Sequence, residues 1–320
     1  MELLKRLSGF AFAAVALLMY VLHDAPATQS LHAALVSQSS DRIRADEPNA
    51  VTLDLIALDS DGQPIADLKR EELRIFQDKQ ELKIESISPA MKEPLTLGIF
   101  FDASGSRNED RFISEEARLA SALVHSVWRE GDTGFVLLFA SGIYFSAKPT
   151  GSLEEIDEGL NLVPQATYHG ATALFDALTV ADPAKFAGSP GRKIYVVFSD
   201  FEDNASRHKP EQAIDAAQKA GVAIFPVLLR EGFGGFHDKR AVKISNERAA
   251  MFADKTGGEV LIPESGKQLA ATMQMLTGHL RSAYRISYIA AAAAPQNNRK
   301  GSKIRIETTR QYAKLLYPKD

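Results

Sequence analysis

The stretch Leu95-Thr96-Leu97-Gly98-Ile99-Phe100-Phe101-Asp102-Ala103-Ser104-Gly105-Ser106 decides the reading of this chain. It is apolar on both faces and rich in β-branched and aromatic residues, which predicts a strand buried on both sides of a sheet. The run stops at Asp102, and Ser104 and Ser106 follow on the loop at the strand's carboxyl end. In an open parallel sheet that is where ligands bind. One carboxylate and two hydroxyls are hard oxygen donors, suited to Mg²⁺ or Mn²⁺ and not to a metal that prefers thiolate. An Asp-x-Ser-x-Ser run also serves as an ordinary helix cap, so its meaning depends on what lies downstream.

Downstream, strands and helices alternate. The spacing of Ala117, Leu119, Ala120, Leu123, Val124 and Val127 predicts an amphipathic helix over 114–128. Further helices are expected at 153–160, 172–178, 211–220, from about 247 to 256, and at 269–284. Buried strands are expected at 135–139, 193–200 and 222–229. This alternation defines an α/β fold, a doubly wound and mainly parallel sheet with helices on both faces. On either side the character changes. Runs at 51–58, 73–77, 82–87, 284–289 and 303–308 alternate apolar and polar residues, as half-buried strands do. They are expected to pair into a small flanking antiparallel β module drawn from both ends of the chain. The resulting plan is a leader at 1–27, a linker at 28–49, a β segment at 50–90, the sheet domain at 94–283, and returning β strands at 284–320 that pack with 50–90.

The 320 residues are enough for a medium domain with a smaller companion. A formal net charge of −4 gives no electrostatic footprint for nucleic acid. There is no cysteine, which removes disulfides, thiolate chemistry, Cys-based zinc sites and a lipoprotein anchor together. At the amino terminus Lys5 and Arg6 precede an apolar stretch from Phe10 to Leu22, and Ala25-Pro26-Ala27 follows. That is the pattern of a signal peptide, the apolar part being short for a spanning helix. A secreted, periplasmic or cell-envelope protein is the expectation. The alternative is an inner-membrane protein anchored by residues 10–22, which would be the chain's sole contact with a membrane.

Three strand-end segments carry oxygen ligands: Asp102, Ser104 and Ser106; Thr172 within Gly170-Ala171-Thr172-Ala173-Leu174; and Asp200 within Phe198-Ser199-Asp200-Phe201-Glu202-Asp203. In this order and spacing they resemble the metal-ion-dependent adhesion site of von Willebrand factor type A domains, over roughly 94–277. The whole chain resembles bacterial secreted proteins that carry such a domain. The resemblance implies that Asp102, Ser104 and Ser106 match the first-loop ligands, Thr172 the second-loop threonine and Asp200 the third-loop aspartate. It implies Mg²⁺ or Mn²⁺ as the cofactor, and a protein ligand with an exposed carboxylate as the partner. One position departs from the family: Phe201 stands where a glycine usually follows the third-loop aspartate. A narrowed rim or a reshaped loop is the expected result, which makes Asp200 the least secure of the five.

Neighbouring residues have plainer readings. Glu202 and Asp203 read as rim or surface, His169 as a surface or capping histidine, and Trp128 as core. Phe233 and Phe236 read as packing beneath their loop, with a partner-binding tip as the alternative. A hydrolase would need Ser104 or Ser106 activated by His169 and Asp200. The chain has no Gly-x-Ser-x-Gly elbow, no Gly-x-x-x-x-Gly-Lys phosphate loop and no His-Glu-x-x-His pair. No catalytic residue is assigned, and binding rather than catalysis is the expectation. An envelope structural protein with a purely stabilising metal site is the remaining alternative.

Overall fold

The computed structural model describes residues 50–107, 113–181, 191–228, 239–263, 265–291 and 303–319. The expected leader at 1–27, the linker at 28–49, and Phe233 with Phe236 lie outside these residues.

The central strand is β5 (Leu95–Asp102), buried along its whole length. It lies between β6 (Thr133–Phe139) and β8 (Arg192–Ser199), parallel to both, and β9 (Val222–Leu228) is parallel to β8. Antiparallel β7 (Ile143–Thr150) closes the other edge, giving the order β7-β6-β5-β8-β9. Successive side chains of a strand point to opposite faces. Accordingly Leu97, Ile99 and Phe101 enter one core with helices α1 (Ile113–Val127), α2 (Leu153–Leu162) and α6 (Gly266–Arg281). Phe100 enters a second core with α3 (Leu174–Val180), α4 (Pro210–Ala220) and α5 (Lys239–Thr256). Gly98 stands where rings of that second core press on the strand. A Cβ there would lie 2.4 Å from Cζ of Phe135 and 2.7 Å from Cδ1 of Tyr195, so the two rings occupy the space a side chain would need.

The flanking module is antiparallel wherever its register is defined. One sheet has the order β12 (Lys314–Leu316), β1 (Ala50–Leu58), β10 (Tyr284–Ile289), β4 (Ile84–Pro89). A second joins β11 (Ile304–Thr308), β2 (Leu73–Gln77) and β3 (Gln80–Leu82). Leu55, Ile75, Leu82, Ile84, Tyr284, Ile286 and Tyr288 share its apolar core. The Tyr284 hydroxyl donates to the Ile65 carbonyl (2.8 Å) and accepts from the Leu68 amide (3.0 Å), so its buried oxygen is satisfied. The module meets the amino ends of the parallel strands. There Asp54 of β1 pairs with Arg192 at the start of β8 (3.3 Å) and with Arg285 of β10 (3.0 Å).

Several boundaries differ from the sequence reading. β7 was not expected, because Ile143-Tyr144-Phe145-Ser146-Ala147-Lys148-Pro149-Thr150 buries only Ala147 fully and carries a proline, as an edge strand tolerates. Helix α5 starts at Lys239 rather than near 247; its first turns bury nothing, so they lack the apolar stripe that reveals a helix. Trp128 is half-buried and packs against the edge of the first core rather than within it. Among the described residues no helix is long and apolar enough to cross a membrane.

Candidate metal centre

Asp102 ends β5 and is buried at 2% exposure. Its Oδ1 accepts the Ser104 amide (2.9 Å) and its Oδ2 accepts the Ser199 hydroxyl (2.7 Å). Burial, and next the negative charge of Asp200, push its carboxyl up to about 6, against the hydrogen bonds from Ser104 and Ser199. Ser104 is equally buried, at 1%. The loop then closes in a 3₁₀ turn over Gly105–Arg107. Arg107 fastens this turn to α1: its Nη2 lies 2.7 Å from both carboxylate oxygens of Glu116, and both residues are buried. Ser106 lies within the turn, so the backbone places it beside Ser104.

The second loop is tied directly to the first. The Gly105 amide donates to the Gly170 carbonyl (2.9 Å), and the His169 amide to the Ala103 carbonyl (3.0 Å). Gly170 has φ +85°, and a Cβ there would stand 2.8 Å from the Ser141 hydroxyl, so the position requires glycine. Two residues on, Thr172 is 3% exposed. Its amide donates to Oδ1 of Asn204 (2.8 Å), and its carbonyl accepts the amides of Asn204 (3.0 Å) and Ala205 (2.9 Å). The third loop therefore grips the second. It also grips the first, through Ser199, whose hydroxyl donates to Asp102 and accepts the Phe201 amide (3.0 Å). Asp200 is half-buried, with Oδ1 accepting the Glu202 amide (2.9 Å).

Asp102, Ser104, Thr172 and Asp200 thus stand on three loops joined by direct hydrogen bonds at the carboxyl end of the sheet. Phe201 does not form the rim. It is fully buried at φ 60°, its ring 6.0 Å from that of Phe252 and its carbonyl held by Arg248 Nη1 (2.6 Å). Asp203 is not simply a surface acid either. Its Oδ2 accepts the Phe175 amide in the first turn of α3 (3.1 Å) and the Ser206 hydroxyl (2.6 Å). His169 is exposed, its Nδ1 set 3.2 Å from the Thr167 carbonyl. Ser199, Asp203 and Asn204 were missed as organisers of the site. Their cue in the sequence was the cluster of short polar residues around Asp200, which can cap or bridge but does not say what it reaches.

The donor set fits a small hard cation. It offers two carboxylates that repel each other and buried hydroxyl-bearing residues on adjoining loops, with no nitrogen or sulfur ligand required. Among the described residues no group of three or more His, Cys, Asp or Glu side chains comes together, here or elsewhere, so any cation at these loops would depend on the Ser and Thr oxygens as well as the two carboxylates.

A five-stranded, mainly parallel sheet between two helical layers, with the Asp-x-Ser-x-Ser loop at the end of its central strand, is an architecture consistent with the von Willebrand factor type A fold. No protein-family model matches the chain, and no curated protein matches it. Solved structures do. The conserved hypothetical protein BatB from Bacteroides thetaiotaomicron is similar at 16% identity and TM-score 0.45, over 59% of this chain and 100% of its own. A von Willebrand factor type A protein from Catenulispora acidiphila is similar at 12% identity and TM-score 0.49, over 86% of this chain and 74% of its own. Proximal thread matrix protein 1 from the mussel byssus, with a zinc-occupied MIDAS motif, is similar at 17% identity and TM-score 0.49, over 65% of this chain and 50% of its own.

Proposed function

We propose that this protein is an exported, metal-dependent protein-binding module that grips an acidic side chain of its partner through Mg²⁺ or Mn²⁺. One observation carries the reading: buried Asp102 faces the charge of Asp200 on loops that also bring Ser104 and Thr172 together. Ser104 and Thr172, with Ser106 from the same motif, would supply neutral oxygens, while Asp102 and Asp200 supply charge. When bound, the cation offers residual positive charge and a coordination position for a carboxylate from outside. The protein's own part is to hold the loops rigid, through Ser199 on Asp102, Asn204 on Thr172, and the Arg107–Glu116 pair behind the first loop. We assign this apparatus binding rather than catalysis, because its hydrogen bonds join the loops to one another.

Thermal unfolding in EDTA, Mg²⁺ or Mn²⁺, beside Asp102→Ala, tests the proposal. A cation that binds only the folded state stabilises it by about 2.7 kcal/mol at a hundredfold excess over Kd. The expected result is a cation-dependent rise in Tm for the wild type that disappears in the variant. An unchanged Tm in every condition, or the same rise in Asp102→Ala, would overturn it.

A further inference from the structure

A groove of about 550 Å³ adjoins the candidate metal loops. That is within the usual range for sites that enclose a small group. Its wall includes Ala103, which stands between Asp102 and Ser104, and Gly170, two residues before Thr172. Leu138, Ala140 and Ala166 contribute apolar surface, and Tyr144, Phe145 and His169 contribute rings. No Asp, Glu, Lys or Arg lines it. Tyr144 and Leu162 on this groove are 67% and 50% exposed, among the most exposed large apolar side chains of the described residues. Ser141, Ser146, Gln165 and Thr167 add neutral polar groups between them. A ring-bearing hollow without carboxylate, ammonium or guanidinium groups thus adjoins loops suited to an acidic group.

We infer that the groove receives an aromatic side chain of the partner, two residues from the acidic residue that the metal grips. This deepens the metal-site reading and rests on it. The occupant follows from the surface: the wall offers a second acid or a base no Lys, Arg, Asp or Glu to pair with, and the rings of Tyr144 and Phe145 favour stacking or edge contact with another ring. The spacing follows from an extended segment, in which residues two apart lie on the same face roughly 7 Å from each other.

The test uses defined peptides. Acetyl-Asp-Ala-Phe-amide and acetyl-Phe-Ala-Asp-amide are titrated against acetyl-Ala-Ala-Asp-amide, in Mg²⁺ and in EDTA, with amide NMR shifts as readout. Burying a phenyl ring predicts that the better aromatic peptide binds about tenfold or more tightly than the alanine control in Mg²⁺. Its shifts should extend to Tyr144 and Ala166, where the control's stop at the metal loops. Tyr144→Ala, an exposed position, and Ala166→Trp, which fills the groove, should each reduce this advantage severalfold and leave the control's affinity unchanged. Equal affinity of all three peptides, or equal loss for peptide and control in the variants, would overturn the groove while Mg²⁺-dependent control binding upheld the metal site. Absence of any Mg²⁺ dependence would sink the metal reading, and this inference with it, even where acetyl-Phe-amide still shifted Tyr144 in EDTA.

Discussion

Asp102 concentrates the logic of the site in one side chain. A carboxylate taken out of water beside another carboxylate resists ionising, which is why its carboxyl rises from the ordinary 3.8 to about 6. A raised folded-state value stabilises the fold fully below the unfolded value of 3.8, and that contribution disappears as pH climbs through 6. In EDTA, wild-type Tm should therefore fall by a few degrees between pH 5 and pH 7.5 relative to Asp102→Asn, which cannot ionise. A difference between the two proteins that does not change with pH would contradict this. Phe201 teaches a separate lesson. Its ring is core, and its backbone occupies a region costly for a bulky residue. Phe201→Gly would give up roughly 3–5 kcal/mol of packing and recover about 1–2 kcal/mol of backbone strain. Chemical denaturation should show a net loss of about 1–4 kcal/mol. The sequence showed that Phe201 departs from the pattern of similar domains but could not show which way it points. Direction is set by Phe252, half a hundred residues further along the chain.

At the scale of elements, legibility followed burial. β5, β6, β8 and β9 were readable because each is a nearly unbroken apolar run. β7 and the first half of α5 were not, because what they bury is discontinuous or nil. Helix α4 announced both of its ends, with Pro210 at its first position and Gly221 in the left-handed conformation just past its last. α3 announced neither. Its start is held by Asp203, reaching back across 28 residues to the Phe175 amide, and Ser206 accepts the Asp176 amide beside it. Local sequence contains no such cap. Asp203→Ala should cost about 1–2 kcal/mol, with amide exchange accelerating first at Phe175 and Asp176. Uniform acceleration over the whole domain would mean that the loop and helix do not open as a unit. The loops carrying Asp102, Thr172 and Asp200 lie between these extremes. The residue types they offer could be read directly, whereas the Ser199 and Asn204 bonds that join them depend on how neighbouring strands align.

Across the described residues, the flanking strands join segments from before and after the sheet domain into one module. β10 lies between β1 and β4 and buries Tyr284, Ile286 and Tyr288. At about 1.5–3 kcal/mol per large apolar side chain, these three match much of the roughly 5–15 kcal/mol that holds a domain folded. A chain ending at residue 283 should therefore lose its cooperative unfolding transition and bind a hydrophobic dye. Retention of a sharp transition would show that the sheet domain is self-sufficient. Alternation made these strands visible in the sequence. Their order across the sheets was not visible, since period-two patterning fixes which face is buried and leaves neighbours unspecified.

The β module meets the amino ends of the parallel strands through Asp54 and Arg192, while Asp102, Thr172 and Asp200 occupy the opposite, carboxyl end. A force applied between those loops and the Asp54–Arg192 contact would run along the strands, because the two lie at opposite ends of the parallel sheet. Tension would then cross β5 and its neighbours in shear, loading many ladder hydrogen bonds together instead of peeling them one at a time.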